Sequence, residues 1–268
     1  VLFRSLGIYF TYLIQRKLYA HDGCPAEWID KLFVWMVSGV IIGARLGHCW
    51  FYEWHYNPEP IQLFAWNLHY RNPYIENPLL LIRIWEGGLS SHGGAIGLIV
   101  AAWGLNKKHF SKRPEYHTSL NWIFDRLVIG AAVTGALIRL GNLMNSEIYG
   151  GPTTMPWGFI FVRDGQTVPC HPTQIYEMIY CLFAFVLTWF MYWKTDARHR
   201  DGLIFGVFLV IIFGTRFGLE FIKNNQEAFE SNLFLNMGQL LSIPFIIWGV
   251  VLIVRGLRQK PISKKNKE

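Results

Sequence analysis

Charge is scarce in this chain. Of its 268 residues, 16% are Asp, Glu, Lys or Arg and 52% are hydrophobic. Soluble domains carry roughly 25% charged residues, so the deficit argues against one. Cysteine is equally sparse. Four are present, Cys24, Cys49, Cys170 and Cys181, with no CxxC pair and no metal-ligand spacing, which excludes a zinc module or a disulfide framework. Cys49 and Cys181 fall in apolar runs and read as small packing residues. Cys170 falls in a loop where nothing beside it marks a reactive thiol. There is no glycine-rich nucleotide loop, no internal repeat and no linker. His92 and His171 lack the spaced carboxylates or thiolates of a metal set. No cofactor and no metal is implied.

Aromatic residues and long apolar runs are abundant. Twelve Trp and twelve Tyr suit a chain whose amphipathic rings gather at a bilayer interface. A membrane span takes about 20 apolar residues, and about seven candidates occur. They lie at 2–15, 32–52, 89–106, 120–144, 173–193, 202–222 and 237–254. The expected fold is an all-α polytopic membrane protein forming one integral domain over 1–268. The first apolar run lacks a small-residue cleavage site and is followed by Arg16-Lys17, so it reads as a retained span rather than a cleaved leader.

The net charge of +7 is distributed by loop. Arg16, Lys17, Lys31, Lys107, Lys108, Lys112, Arg113, Lys194, Arg198, Arg200 and the six cations from Arg255 to Lys267 fall on one side. Arg4, Arg71, Arg83, Arg163 and Lys223 fall on the other. The positive-inside bias puts the N-terminus outside and the C-terminus, with its basic tail over 256–268, in the cytoplasm. The tail reads as solvated charge near anionic lipid rather than a nucleic-acid patch. Two external segments follow. The one at 53–88, rich in Trp, Tyr, Asn and Pro, suits an ordered arm or cap. In the other, 147–171, Arg163-Asp164-Gly165 between two apolar stretches reads as the turn of a small hairpin.

Function on such a fold should sit where polar groups enter the spans. An arginine at the centre of a membrane helix costs about 2.5–3.5 kcal/mol and usually faces a polar interior. Arg139 opens a run containing Asn142, Asn145, Ser146 and Glu147. If the helix continues, Arg139, Asn142 and Ser146 share a broad face. The guanidinium fork suits phosphate, and the asparagines supply neutral hydrogen bonds; the alternative is a buried Arg–Glu pair that fixes packing. Arg216 and Glu220, four residues apart, can pair on one face, which is either structural or a way to aim the guanidinium into a cavity. Arg45, among Gly43 and Gly47, reads as architectural or as a support behind the residues that touch substrate.

Two further clusters complete the set. In Glu86–Gly94, four glycines around His92 make a poor helix but allow close approach at Gly93 and Gly94. Histidine is the residue type suited to general-base work near neutral pH, which makes His92 a candidate base, although a histidine beside glycines can also be structural. His171-Pro172-Thr173 reads as a helix start. Gln174, Tyr176 and Glu177 then enter a span as ligands or as a capping and interhelical cluster.

Together these motifs resemble the prolipoprotein diacylglyceryl transferase family of bacterial inner membranes, over nearly the whole chain. The Arg139–Gly150 stretch is similar to the family signature Gly-Arg-x-Gly-Asn-Phe-x-Asn-x-Glu-x-x-Gly, with Ile138 and Leu143 as departures. Two family tyrosines are replaced near Leu6 and Ile212. The resemblance implies transfer of diacylglyceryl from phosphatidylglycerol to the lipobox cysteine of a prolipoprotein. It implies His92 as the base, and Arg139 and Arg216 on the leaving phosphate. Asn142, Asn145, Glu147, Gly93, Gly94, His171, Gln174, Tyr176, Glu177 and Glu220 would bind or orient substrate. Two rival readings are an organic-anion transporter or channel, against which stands the absence of a repeat, and an intramembrane protease using Ser91 and His92 or a thiol. The latter lacks a nucleophile elbow.

Overall fold

The computed structural model describes residues 2–51, 53, 55–63, 66–83, 87–222 and 237–259. The expectations placed on Glu86, Lys223 and the tail cations Lys260 to Lys267 lie outside these, as does any role for the Ser91 side chain. The chain divides into two compact units, one of Val1–Cys24 with Asn121–Glu268 and the other of Pro25–Leu120.

The unit over 25–120 is built on two helices, α2 (Glu27–Phe51) and α4 (Ser91–Leu105). Between them come strands β1 (His55–Leu63) and β2 (Trp66–Arg71), a short helix α3 (Pro73–Glu76) and a 3-10 turn over Pro78–Ile82. The strands pair antiparallel, His55 opposite Arg71 and Leu63 opposite Trp66, with a register shift between Tyr56 and Ile61. The 53–88 segment thus contains a β-ribbon arm, as its aromatic content suggested it would be ordered. Asn72 and Asn77 accept from the backbone N–H of Tyr74 and Leu79 and start the turns that follow, the usual use of asparagine before proline.

The glycine-rich segment departs from expectation. It is helical from Ser91, because Ser90 caps the helix by accepting from Gly93 N at 3.2 Å and because α4 packs along α2 through its glycines. A Cβ on Gly43 would collide with the Gly93 carbonyl, and one on Gly97 with the Gly39 carbonyl. Membrane helices associate through such small-residue faces, since lipid offers no hydrophobic drive between them. Tertiary contact overrides the low helix propensity of glycine. Helix α4 ends in a π-helical turn, Asn106–Phe110.

The other unit holds α1 (Leu2–His21), α5 (Leu120–Asn145), α6 (Thr173–Lys194), α7 (Leu203–Leu219) and α8 (Met237–Arg258). Thr11 donates to the Gly130 carbonyl at 2.8 Å, joining α1 to α5. Asp125 is fully buried and accepts from Gly202 N at 2.7 Å and Phe205 N at 2.8 Å, which fixes the start of α7 where a negative charge suits the helix dipole. Arg126 pairs with Asp22 at 2.9 Å and stacks on Trp122, while Tyr192 donates to Asp22 at 2.8 Å.

Each of the seven expected spans falls on one helix, although α4 and α7 have only 15 and 17 residues. α2, α5, α6 and α8 are long and apolar enough to cross a membrane, and α7 is a shorter apolar helix. The protein is a polytopic, essentially helical membrane protein. The expected hairpin around Arg163 is instead a 3-10 turn, Val162–Asp164, in a loop closed by Phe159 and Cys170, whose backbones exchange hydrogen bonds of 3.0 and 2.9 Å. Gly165 takes φ +72°; the turn is right, but no strand propagates from it.

Candidate active site

The polar clusters on α5, α6 and α7 meet at one end of their unit, and the chain's path explains why. Helix α5 stops at Asn145 rather than continuing through Ser146. Ser146 and Ile148 take φ of 59° and 57°, a left-handed conformation uncommon outside glycine and asparagine. Glu147 therefore folds back over the helix end, where its N–H donates to the Asn142 carbonyl at 2.9 Å. Its carboxylate accepts from Asn142 Nδ2 at 3.0 Å and Asn145 Nδ2 at 3.2 Å. Asn142 in turn accepts from Arg139 Nη1 at 3.3 Å. The chain Arg139–Asn142–Glu147–Asn145 is continuous.

The carboxylate that pairs with Arg139 comes from elsewhere. Arg139 Nε bonds Glu177 Oε2 on α6, and Glu177 is 1% exposed. The alternative of a buried Arg–Glu pair is thus realised, but with Glu177 in place of Glu147. Glu177 takes Nε and Asn142 takes Nη1 of a group that is 22% exposed, so part of the guanidinium fork stays open. Gln174 donates to the Glu147 carbonyl at 2.7 Å and Thr173 to the Ile148 carbonyl at 3.0 Å. The His171–Glu177 motif is thereby a clamp on the strained 146–150 segment. His171 Nδ1 and Trp157 Nε1 both bond Tyr176 Oη, at 3.2 and 2.7 Å, and the backbone of His171 pairs with Gly150 and Gly151.

Arg216 joins from α7. It lies 3.6 Å from Glu220, as the four-residue spacing foresaw, and its side chain is 42% exposed. Gly151 N donates to the Ile222 carbonyl at 3.1 Å, which ties the end of α7 to the Arg139 segment. Glu220 also presses on Gly238 of α8, where any Cβ would collide with its carboxylate. Tyr180 interacts electrostatically with Glu177, Arg139 and Arg216 together. Sequence reading missed Tyr180, although Tyr176, Glu177 and Tyr180 repeat at helical spacing. Trp157 had no sequence signal at all.

Two groups near this site are quiet. Cys170 is 2% exposed, donates towards the Val168 carbonyl, and burial raises its pKa; a thiol kept protonated is a poor nucleophile. Tyr149 bonds Asp164, and that hydrogen bond followed by burial raises the phenol's pKa.

In the other unit, His92, Gly93 and Gly94 form the first turn of α4. His92 is exposed, while both glycines are buried. Arg45, 5% exposed, donates to the carbonyls of Leu80, Leu81, Gly87 and Gly88 at 2.7–3.2 Å, the architectural role its glycine neighbours suggested. It thereby holds the segment that leads into His92. His48 Nε2 pairs with Glu53 at 2.9 Å.

Comparison with known proteins agrees with these motifs. The family model described as prolipoprotein diacylglyceryl transferase matches residues 1–255. A phosphatidylglycerol–prolipoprotein diacylglyceryl transferase of Porphyromonas gingivalis is 44% identical over 94% of this chain and 85% of its own length. Those of Chloroherpeton thalassium and Tolumonas auensis are each 38% identical, over 98% and 96% of this chain and 91% and 90% of theirs. A match of this extent in a helical membrane protein shows that the chain belongs to the prolipoprotein diacylglyceryl transferase family.

Proposed function

We propose that this protein transfers the diacylglyceryl group of phosphatidylglycerol to the lipobox cysteine of prolipoproteins in the bacterial inner membrane, with its N-terminus outside and its C-terminus in the cytoplasm. The observation that carries this reading is that Arg139 and Arg216, in one unit of the chain, are each held by a carboxylate and remain partly exposed. Each keeps donors for an anion. Glu177 and Glu220 lower the cost of the cations and fix their direction, and Asn142 and Asn145 supply neutral donors beside them.

In the reaction, the cysteine thiol loses its proton and the thiolate sulfur attacks the glyceryl carbon that carries the phosphoester. The S–C bond forms and the C–O bond breaks. Its electron pair leaves on the phosphate oxygen, so glycerol phosphate departs. His92, exposed on the first turn of α4, accepts the thiol proton. Arg139 and Arg216 stabilise the charge that develops on the leaving phosphate, where fixed donors in a dry site are commonly worth a few kcal/mol each. Gly93 and Gly94, buried against α2, set the position of His92 at the start of α4 instead of admitting substrate. Glu147, His171, Gln174 and Tyr176 keep the strained segment in place.

The test is to incubate membranes carrying the protein with phosphatidylglycerol radiolabelled in its acyl chains and a lipobox peptide. Label on the uncleaved peptide is the expected result. Peptide cleavage, or anion flux without labelling, would instead favour a protease or a transporter.

A further inference from the structure

A second feature lies in the unit over 25–120. Where the glycines of α2 and α4 bring the helices together, the larger side chains on their flanks leave a trough of about 810 Å³. Gly39, Gly43 and Gly97 line its floor, and Trp35, Val100 and Trp103 are among its walls. Val100 and Trp103 are 58% and 55% exposed, so the trough faces outwards. One end is basic. Lys107 Nζ sits 5.1 Å from the Trp103 ring and Lys108 Nζ 5.8 Å from the Trp35 ring, so each tryptophan wall carries an ammonium. The π-helical turn Asn106–Phe110 holds both lysines, and π turns inside helices recur at functional positions. Lys31 is paired with Glu27 at 3.1 Å, whereas neither Lys107 nor Lys108 has a carboxylate partner among the described residues. His109, beside them, is held below its usual pKa by burial and then by Lys31, Lys108 and Lys112, with Glu27 opposing.

We infer that this trough binds an anionic phospholipid, with the phosphate at Lys107 and Lys108 and one acyl chain laid over Gly39, Gly43 and Gly97. Charge selects this occupant. Basic pockets at the ends of membrane helices bind anionic headgroups. A signal peptide, with its positively charged leading segment, would be repelled by the same lysines, and so would a second copy presenting the same basic end. A zwitterionic lipid would fill the apolar part but gain nothing from the two ammonium groups. Its headgroup end lies at the opposite end of α4 from His92, although Gly93 at the His92 end also lines the trough, and the inference does not depend on the assignment of the transfer residues.

The experiment uses the purified full chain in phosphatidylcholine nanodiscs. These are doped with phosphatidic acid bearing a diazirine in one acyl chain, or with phosphatidylcholine bearing the same group, and irradiated before peptide mapping. The phosphatidic acid probe should label 34–46 and 96–104 well above the phosphatidylcholine probe. With each interfacial lysine worth about fivefold in anionic-lipid affinity, Lys107→Gln with Lys108→Gln should reduce that labelling about tenfold or more. Val100→Trp, which fills the trough and keeps the lysines, should reduce it as well. Equal labelling by the two probes, labelling unchanged in the double variant, or displacement of the probe by a lipobox peptide would overturn the inference.

Discussion

Arg45 and Arg126 differ from Arg139 and Arg216 in what their guanidinium groups are given to do. Arg45 spends its donors on four backbone carbonyls. Arg126 spends its donors on Asp22 and on the carbonyls of Trp122 and Arg198. Both are nearly inaccessible, at 5% and 2%. Arg139 and Arg216 each have a single carboxylate partner among the described residues and remain 22% and 42% exposed. All four are cations in apolar helices, and by hydropathy alone they look alike. The difference teaches that an intramembrane arginine is structural when its planar fork is saturated from within, and available for an anion when it is not.

The comparison can be broken most directly at the open arginines. Arg139→Ala and Arg216→Ala should each reduce transfer to a lipobox peptide at least 10²–10³-fold, the scale for losing a preorganised donor, with normal amounts of folded protein in the membrane. Arg45→Ala should do the reverse. It strands carbonyls that the arginine had satisfied and should lower stability by about 2–4 kcal/mol, read as a drop in Tm and yield, while its effect on transfer follows from the segment it holds before His92. Glu177→Gln keeps the shape of the Arg139 partner and removes its charge. Transfer should fall roughly tenfold, the loss of a charge-assisted bond, and mainly in kcat. Gly97→Val forces α2 and α4 apart and should cost about 1–3 kcal/mol of stability by overpacking.

The smallest effect is a pH dependence remote from the site. His199, in the 3-10 turn after α6, accepts from Arg198 Nε at 2.9 Å, and burial followed by Arg198 lowers its pKa. The folded chain therefore binds fewer protons there than the unfolded chain, whose histidine titrates near about 6.5. Stability is then lost as pH falls below that value. His199→Gln should flatten the acid side of a Tm-against-pH curve. An unchanged slope would show that His199 does not couple folding to protons.

Much of this was legible in the sequence because the signals were strong and local. Span positions follow from apolar runs longer than a soluble core needs, and Arg216–Glu220 follows from helical spacing. What escaped depended on distant contacts. Nothing near Arg139 says that its carboxylate is Glu177, thirty-odd residues on, because that pairing is made by α6 packing beside α5. The helical start at Ser91 was hidden by glycine propensity, which Ser90 capping and the α2 interface override. The left-handed Ser146 and Ile148, which bend Glu147 back over Asn142, carry no glycine or asparagine to announce them. The strands fell in 55–71 rather than around Arg163, since a turn sequence alone does not supply paired flanks.

The central claim is that the open guanidinium groups act on the leaving phosphate. Transfer of label from phosphatidylglycerol to a lipobox peptide should be measured for Arg139→Ala, normalised to folded protein in the same membranes. The account predicts a folded protein that transfers essentially nothing. Full transfer by a well-folded Arg139→Ala protein would contradict it.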